Sequence, residues 1–174
     1  MSSTLRAALV ITLAVIAVSD AAAAARVRGR ESARGQIIAV ARNGHRTVVS
    51  SIIVLRGVFN GAGKIVEVPN RAGDPDNASR DNLVFAAGTL RIISFNKGQP
   101  RISLNPQTCV ARVRIKQTTK VTGGTGRFRH ARGTFKSRVR AYTALARNPD
   151  GSCNENADPL LDGDALSGHG TLSL

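Results

Sequence analysis

The sequence predicts an all-β protein: a single closed, eight-stranded antiparallel barrel, with a two-sheet β-sandwich as the alternative architecture. Three observations carry the prediction. Arg112, Arg114 and Lys116 alternate with Ala111, Val113 and Ile115, and Lys136, Arg138 and Arg140 alternate with Phe135, Ser137, Val139 and Ala141. A period of two sends successive side chains to opposite faces of a pleated strand, so each segment has a cationic face and a mostly apolar one. The core residues are β-formers: there is no Trp, one Tyr and only five Phe, which leaves Val, Ile, Leu and Ala to fill the interior. Turn signals recur at short intervals along the whole chain, and closing such a sheet into a barrel removes its exposed edges.

In chain order, Met1–Ala25 has the pattern of a secretory signal. Arg6 supplies the positive start, Ala7–Val18 the apolar run, and the alanines up to Ala25 offer small-residue cleavage sites. A membrane anchor needs about twenty apolar residues, and Asp20 interrupts this run. Cleavage near Ala25 makes the mature protein secreted, or at least extracytoplasmic, and not membrane-spanning. What remains is enough for one domain, 35–174, preceded by a basic flexible arm at 26–34 (RVRGRESAR).

Gln36–Ala41 and Thr47–Phe59 are apolar, β-branched strands separated by Asn43-Gly44, a two-residue hairpin signal. Asn60–Gly63 is a second turn, and Lys64–Val68 a short strand. Pro69–Asn82 is a loop rich in Asp, Asn, Gly and Pro. Leu83–Phe95 forms a long strand ending at an Asn96-Lys97-Gly98 turn, followed by Arg101–Leu104 and Cys109–Val121. A Gly-rich hairpin leads into Gly133–Ala146. A loop over Arg147–Asp164 precedes the last strand, Ala165–Leu174.

Cys109 and Cys153 are the only cysteines, and in an exported chain a pair is most simply a disulfide. The loop it closes, about 45 residues, gives a chain-entropy effect of about 4 kcal/mol. Metal chemistry finds no support. His45, His130 and His169 lack paired ligand spacing and read as exposed loop residues. Asn154, Asn156 and Asp158 alternate as in a calcium loop, but Pro159 and Ala165 replace its Gly and bidentate Glu, leaving only Asp162 and Asp164 as loose candidates. No cofactor motif is present: Val121–Gly126 is followed by a strand rather than the helix a dinucleotide site requires. No G-x-S-x-G nucleophile elbow occurs.

Charge is the other signal. There are 25 Lys and Arg against 11 Asp and Glu, a net +14, and fourteen basic residues but no acid lie between Asn82 and Pro149. A hairpin centred near Gly126 places Arg112 opposite Arg140 and Lys116 opposite Lys136. Arg112, Arg114, Lys116, Lys136, Arg138 and Arg140 then form one anion-binding patch, suited to anionic glycans, cell-wall polymers or lipid head groups. Specific nucleic-acid recognition is not expected, because stacking platforms need exposed aromatics. The opposite, cavity-lining face carries Val113, Ile115, Phe135 and Val139.

Val121–Gly133, VTGGTGRFRHARG, resembles the Gly-rich hairpin of the allene oxide cyclase and dirigent protein superfamily, with Gly123, Gly124 and Gly126 as its structural glycines. Gly57-Val58-Phe59 and Gly88-Thr89-Leu90 stand upstream in the order of that superfamily's elements, while Arg129-His130 departs from its usual small residue and Gly. The resemblance implies an eight-stranded barrel holding an apolar ligand; in plants such barrels cyclise a fatty-acid epoxide or guide phenolic radical coupling. No motif carries their acidic and tyrosine catalytic positions to this chain. The expected function is therefore an exported, non-catalytic barrel that binds an apolar small molecule inside or an anionic polymer outside. The alternative is an isomerase or coupling protein, for which Glu67 or Asp81 at the mouth, beside Tyr142, would be the acids to find.

Overall fold

The structure, a computed structural model, describes residues 26–42 and 45–174. The secretory signal read in Met1–Ala25 and the Asn43-Gly44 turn lie outside the described residues. Eight strands run in sequence: β1 Arg28–Arg42, β2 His45–Gly57, β3 Gly61–Val68, β4 Ala78–Phe85, β5 Gly88–Asn105, β6 Val110–Gly124, β7 Arg132–Ala144 and β8 Leu161–Ser173. Each pairs antiparallel with the next, and β8 pairs with β1, closing the barrel. The only helical turn among the described residues is a 3₁₀ turn, Gly126–Phe128.

Four sequence expectations are corrected. The arm expected at 26–34 is strand from Arg28 onward, pairing Arg28 with Ser173 on one side and Glu31 with Gly57 on the other. Its polar composition concealed an alternation in which Glu31, Ala33 and Gly35 face in while Arg30, Ser32 and Arg34 face out. Leu83–Phe95 is not one strand, because a turn at Ala86-Ala87 divides β4 from β5. Conversely, Asn96-Lys97-Gly98 is no turn: β5 runs through to Asn105 with a register shift between Lys97 and Arg101. One strand divides and two merge, so the count stays at eight. Both long loops are also shorter than expected, since Ala78–Asn82 belongs to β4 and Leu161–Asp164 to β8.

The up-and-down order puts the β2–β3, β4–β5 and β6–β7 turns at one end, the base. There Phe128, fully buried, sits with its ring centroid 4.9 Å from Phe59 and 5.5 Å from Phe85. Edge-on and tilted contacts of this kind add about 0.5–1.5 kcal/mol per pair beyond area burial. The Gly-rich hairpin forms the floor. Thr125 and Arg127 donate their amides to the carbonyls of Thr89 (2.8 Å) and Ala87 (2.9 Å), and Thr125 Oγ1 accepts from the Thr89 amide. So close an approach requires glycine: Gly126 (φ +55°) and Gly88 (φ +129°) face each other's backbone, where a Cβ on either would strike a carbonyl oxygen.

At the other end, the mouth, the wall is uneven. β3 and β4 have 8 residues each, whereas β5 and β6 have 18 and 15 and overhang. β2 and β3 share only three paired positions, Ile53–Gly63 to Leu55–Gly61, and diverge above them.

Candidate functional site

Between the phenylalanine floor and the mouth lies a cavity of about 480 Å³. That is within the range of small-molecule sites, roughly 300–1,000 Å³. Its lower wall is apolar, with Leu55, Ile65, Leu83, Leu90, Ile92 and Phe135 turned inward by the two-residue period. Of the expected lining residues, Ile115, Phe135 and Val139 border it. Val113 does not. It is half-buried on the part of β6 that overhangs the mouth, where it pairs with Ile102 and Ala141 and the short strands β3 and β4 offer nothing opposite.

Two polar features interrupt this wall. Ser94, Thr119 and Ser137, from β5, β6 and β7, are each at least nine-tenths buried and border the cavity. Ser94 and Thr119 hydroxyls are bonded at 2.9 Å, Thr119 and Ser137 at 3.3 Å. Three hydroxyl protons share two hydrogen bonds, so one remains for a guest.

At the rim, Glu67, Asp81 and Asp164 border the cavity from β3, β4 and β8. Glu67 and Asp81 are register partners. Arg46, at the start of β2, donates to Glu67 at 2.6 Å and, across the end of β1, to Asp162 at 3.0 Å, with Asp164 at 4.0 Å. Arg80 also reaches the rim, but Asp74 holds it bidentately at 2.6 and 2.7 Å, and Arg80 in turn holds Asp74 down at about 2. Asp81 is left with no ion-pair partner among the described residues. Burial pushes it up to about 6, assisted by the charges of Glu67 and Asp164. Burial likewise raises Asp164 to about 6, with Asp162 adding and Arg46 opposing.

Another inward acid, Glu31, belongs to the base. Its Oε2 accepts from the Phe59 amide at 2.9 Å, fixing the β2–β3 turn, while Oε1 has no partner and burial raises its pKa.

Sequence reasoning placed Glu67 and Asp81 at the mouth and Ser137 on the inward face, but missed Asp164, Glu31, Ser94 and Thr119. The signal was parity. Asp164 is two residues from Leu166, and Thr119 continues the inward series of Ile115, as Asp81 continues that of Leu83. Tyr142 is not beside these acids. It lies on the exterior, 47% exposed, with Arg112 stacked 5.8 Å from its ring centroid.

The six patch residues all face outward and are exposed, but the expected register is corrected by two residues. Arg114 opposes Arg140, Lys116 opposes Arg138, Arg112 opposes Tyr142 and Thr118 opposes Lys136. The 3₁₀ turn moves the hairpin centre from Gly126 to Arg127. Cys109 and Cys153 form a disulfide that ties the β5–β6 turn to the β7–β8 loop, with Cα atoms 5.3 Å apart. Of the histidines, His45 and His169 stand in strands rather than loops, and all three are exposed. Asp162 and Asp164 lie on β8 beside Arg46, not with Asn154 and Asn156 in a calcium loop. No helix among the described residues is long and apolar enough to cross a membrane.

Fold and site together define a closed β-barrel with an acid-rimmed apolar cavity. Compared with known proteins, the chain matches no family model, no curated protein and no solved structure.

Proposed function

We propose that this protein is an exported, dirigent-like barrel that carries one small, largely apolar guest in its cavity. The observation that carries the reading is the 480 Å³ chamber, floored by the phenylalanine cluster and open at the acidic rim. Export is supported by the Cys109–Cys153 disulfide, a bond that persists in oxidising compartments. The superfamily assignment is supported by the closed eight-stranded barrel and by the Gly-rich hairpin at its floor.

The rim narrows the guest. Glu67, Asp162 and Asp164 share Arg46, Asp74 takes Arg80, and Asp81 has no counter-charge, so the rim carries an excess of carboxylate and an ionised fatty acid entering head-out meets like charge. A neutral or basic head group suits this rim, and an oxygen part-way along the guest suits the spare hydroxyl proton of the Ser94–Thr119–Ser137 row. Dodecanoate, dodecanol and dodecylamine, titrated separately and read by displacement of an apolar fluorophore, test this. The amine and the alcohol are expected to bind and the carboxylate to bind weakest; Ile115→Trp, which narrows the chamber, is expected to weaken all three. Failure of every probe to bind the folded protein defeats the reading.

Asp81 favours a second reading, an isomerase. A carboxyl titrating near 6 inside an apolar chamber has the properties of a general acid or base. Tyr142 lies outside the chamber and takes no part in it. A guest recovered chemically unchanged after long incubation with the protein supports carriage; conversion that is lost in Asp81→Asn supports catalysis.

A further inference from the structure

The outer face of the barrel has the opposite electrostatic character to its mouth. Strand register sets Lys97, Lys116, Arg138, Ser167 and Arg34 side by side on β5, β6, β7, β8 and β1. Neighbouring strands are about 4.8 Å apart, so this row spans roughly 19 Å of the barrel's girth. Two residues toward the mouth, about 6.6 Å along the strands, Arg101, Arg114 and Arg140 form a parallel row. Lys136 and His169, themselves register partners, flank the first row on its other side. All of these side chains except Ser167 are basic, and all are exposed.

Like charges directly opposite each other in a sheet are destabilising, and no ion pair among the described residues relieves them. β5, β6 and β7 contain no acid. The acids of β1 and β8, namely Glu31, Asp162 and Asp164, share the inward parity of Ala33 and Leu166. Among the described residues, ion pairs involve only Arg46 and Arg80, neither of which belongs to this face. The surface is also concave: a depression of about 730 Å³ is lined by Arg34, Lys97, Lys116, Lys136, Arg138 and His169.

We propose that this face is a binding track for a linear anionic polysaccharide, one bearing carboxylate, sulfate or phosphate groups along its length. A chain laid across the strands meets a cation on nearly every strand, and each contact relieves a repulsion built into the sheet. Ser167 and Ser32 supply hydroxyls in the same depression, suited to sugar oxygens. A nucleic acid finds no stacking platform there, since Tyr142 is the one exposed aromatic at its margin and Arg112 covers it. A lipid bilayer is disfavoured because the exposed apolar residues Val48, Val49, Ile52, Val66 and Val84 lie on β2, β3 and β4, away from the cations, and Ile102 on β5, the register partner of Val113, has the opposite parity to Arg101.

The test is calorimetric titration of the purified protein with a heparin oligosaccharide and with an oligogalacturonate at several NaCl concentrations. Binding is expected, with log K falling linearly against log salt as counterions are released. Lys116→Gln/Arg138→Gln is expected to weaken it about tenfold at low salt and to flatten that slope. Lys64→Gln/Arg71→Gln, removing the same charge elsewhere, is expected to leave it nearly unchanged, and matching thermal unfolding curves exclude a folding defect. Equal losses in the two variants assign the binding to net charge and overturn the proposal. So does the absence of binding, or tighter binding to a single-stranded oligonucleotide or to phosphatidylglycerol vesicles than to either glycan.

Discussion

Glu67 and Asp81 face each other as register partners on β3 and β4, yet Arg46 bonds Glu67 at 2.6 Å and makes no ion pair with Asp81. Beyond Glu67, Arg46 extends from β2 over the end of β1, giving its other donors to Asp162 and Asp164 on β8. Asp81 therefore faces the cavity as an acid without a counter-charge, and two predictions concern it directly.

Asp81 has a folded-state pKa of about 6, above its unfolded value, so folding favours the protonated form. Its contribution to stability is fully present below about pH 4 and is lost as pH rises through 6. Asp81→Asn is thus expected to be more stable than the native protein at pH 7.5 by about 1–2 kcal/mol, and equally stable at pH 3.5. Urea unfolding at the two pH values checks this; a variant destabilised at pH 7.5 would show that the carboxylate has an unseen partner.

The same charge sets the pH response of guest binding. Protonating Asp81 and Asp164 between pH 7 and 5 removes negative charge from the rim. Dodecylamine affinity is expected to fall over that interval while dodecanol affinity stays flat. Parallel titration of the two ligands from pH 5 to 7.5 measures the difference directly.

Phe128→Ala removes the fully buried centre of the floor, a change that typically costs about 3–5 kcal/mol. Gly126→Ala retains every floor side chain but places a methyl against the Ala87 carbonyl at φ +55°. It is expected to cost about 1–3 kcal/mol, whereas Gly73→Ala, at a positive φ with open space around it, should cost less. Thermal unfolding of the three variants ranks them.

Above Ile53, β2 has no backbone pairing to β3. The seam is held there by Ser51 Oγ donating to the Ile65 carbonyl at 2.8 Å and by the Arg46–Glu67 pair. Alternate amides of residues 46–52 are expected to exchange with solvent far faster than those of β6 and β7, which pair along their full lengths. Hydrogen exchange at residue resolution reads this out, and uniform protection around the barrel would contradict it.

Reducing the disulfide, or replacing both cysteines by Ala, frees the β7–β8 loop from the β5–β6 turn across a separation of 44 residues. A loss of about 4 kcal/mol is expected from chain entropy. The apolar wall and floor of the cavity lie below this loop, so dodecanol affinity at a temperature where the variant remains folded should be little changed, while dodecylamine affinity reports any shift of Asp162 and Asp164.

Local chemistry alone determined the strand class, most strand positions, the disulfide and which residues of β6 and β7 face outward. Each follows from a period of two, from β-branched residues bounded by turn formers, or from the pairing of two cysteines in one chain. Parity also reached further than apolar runs suggest: Asp81, Asp164 and Thr119 face inward because Leu83, Leu166 and Ile115 do. What remained hidden depended on contacts between distant segments. Arg28–Arg34 is a strand because β8 and β2 need it to close the barrel, not because its residues favour one. Gly124 and Gly126 of the hairpin are required by Ala87–Thr89, which they meet from almost 40 positions away in sequence. Only the tertiary structure decided that the acids of β3, β4 and β8 converge on one rim while the cations of β5, β6, β7 and β1 align outside. Closure and shear set which residues become neighbours across strands, and no single strand contains that information.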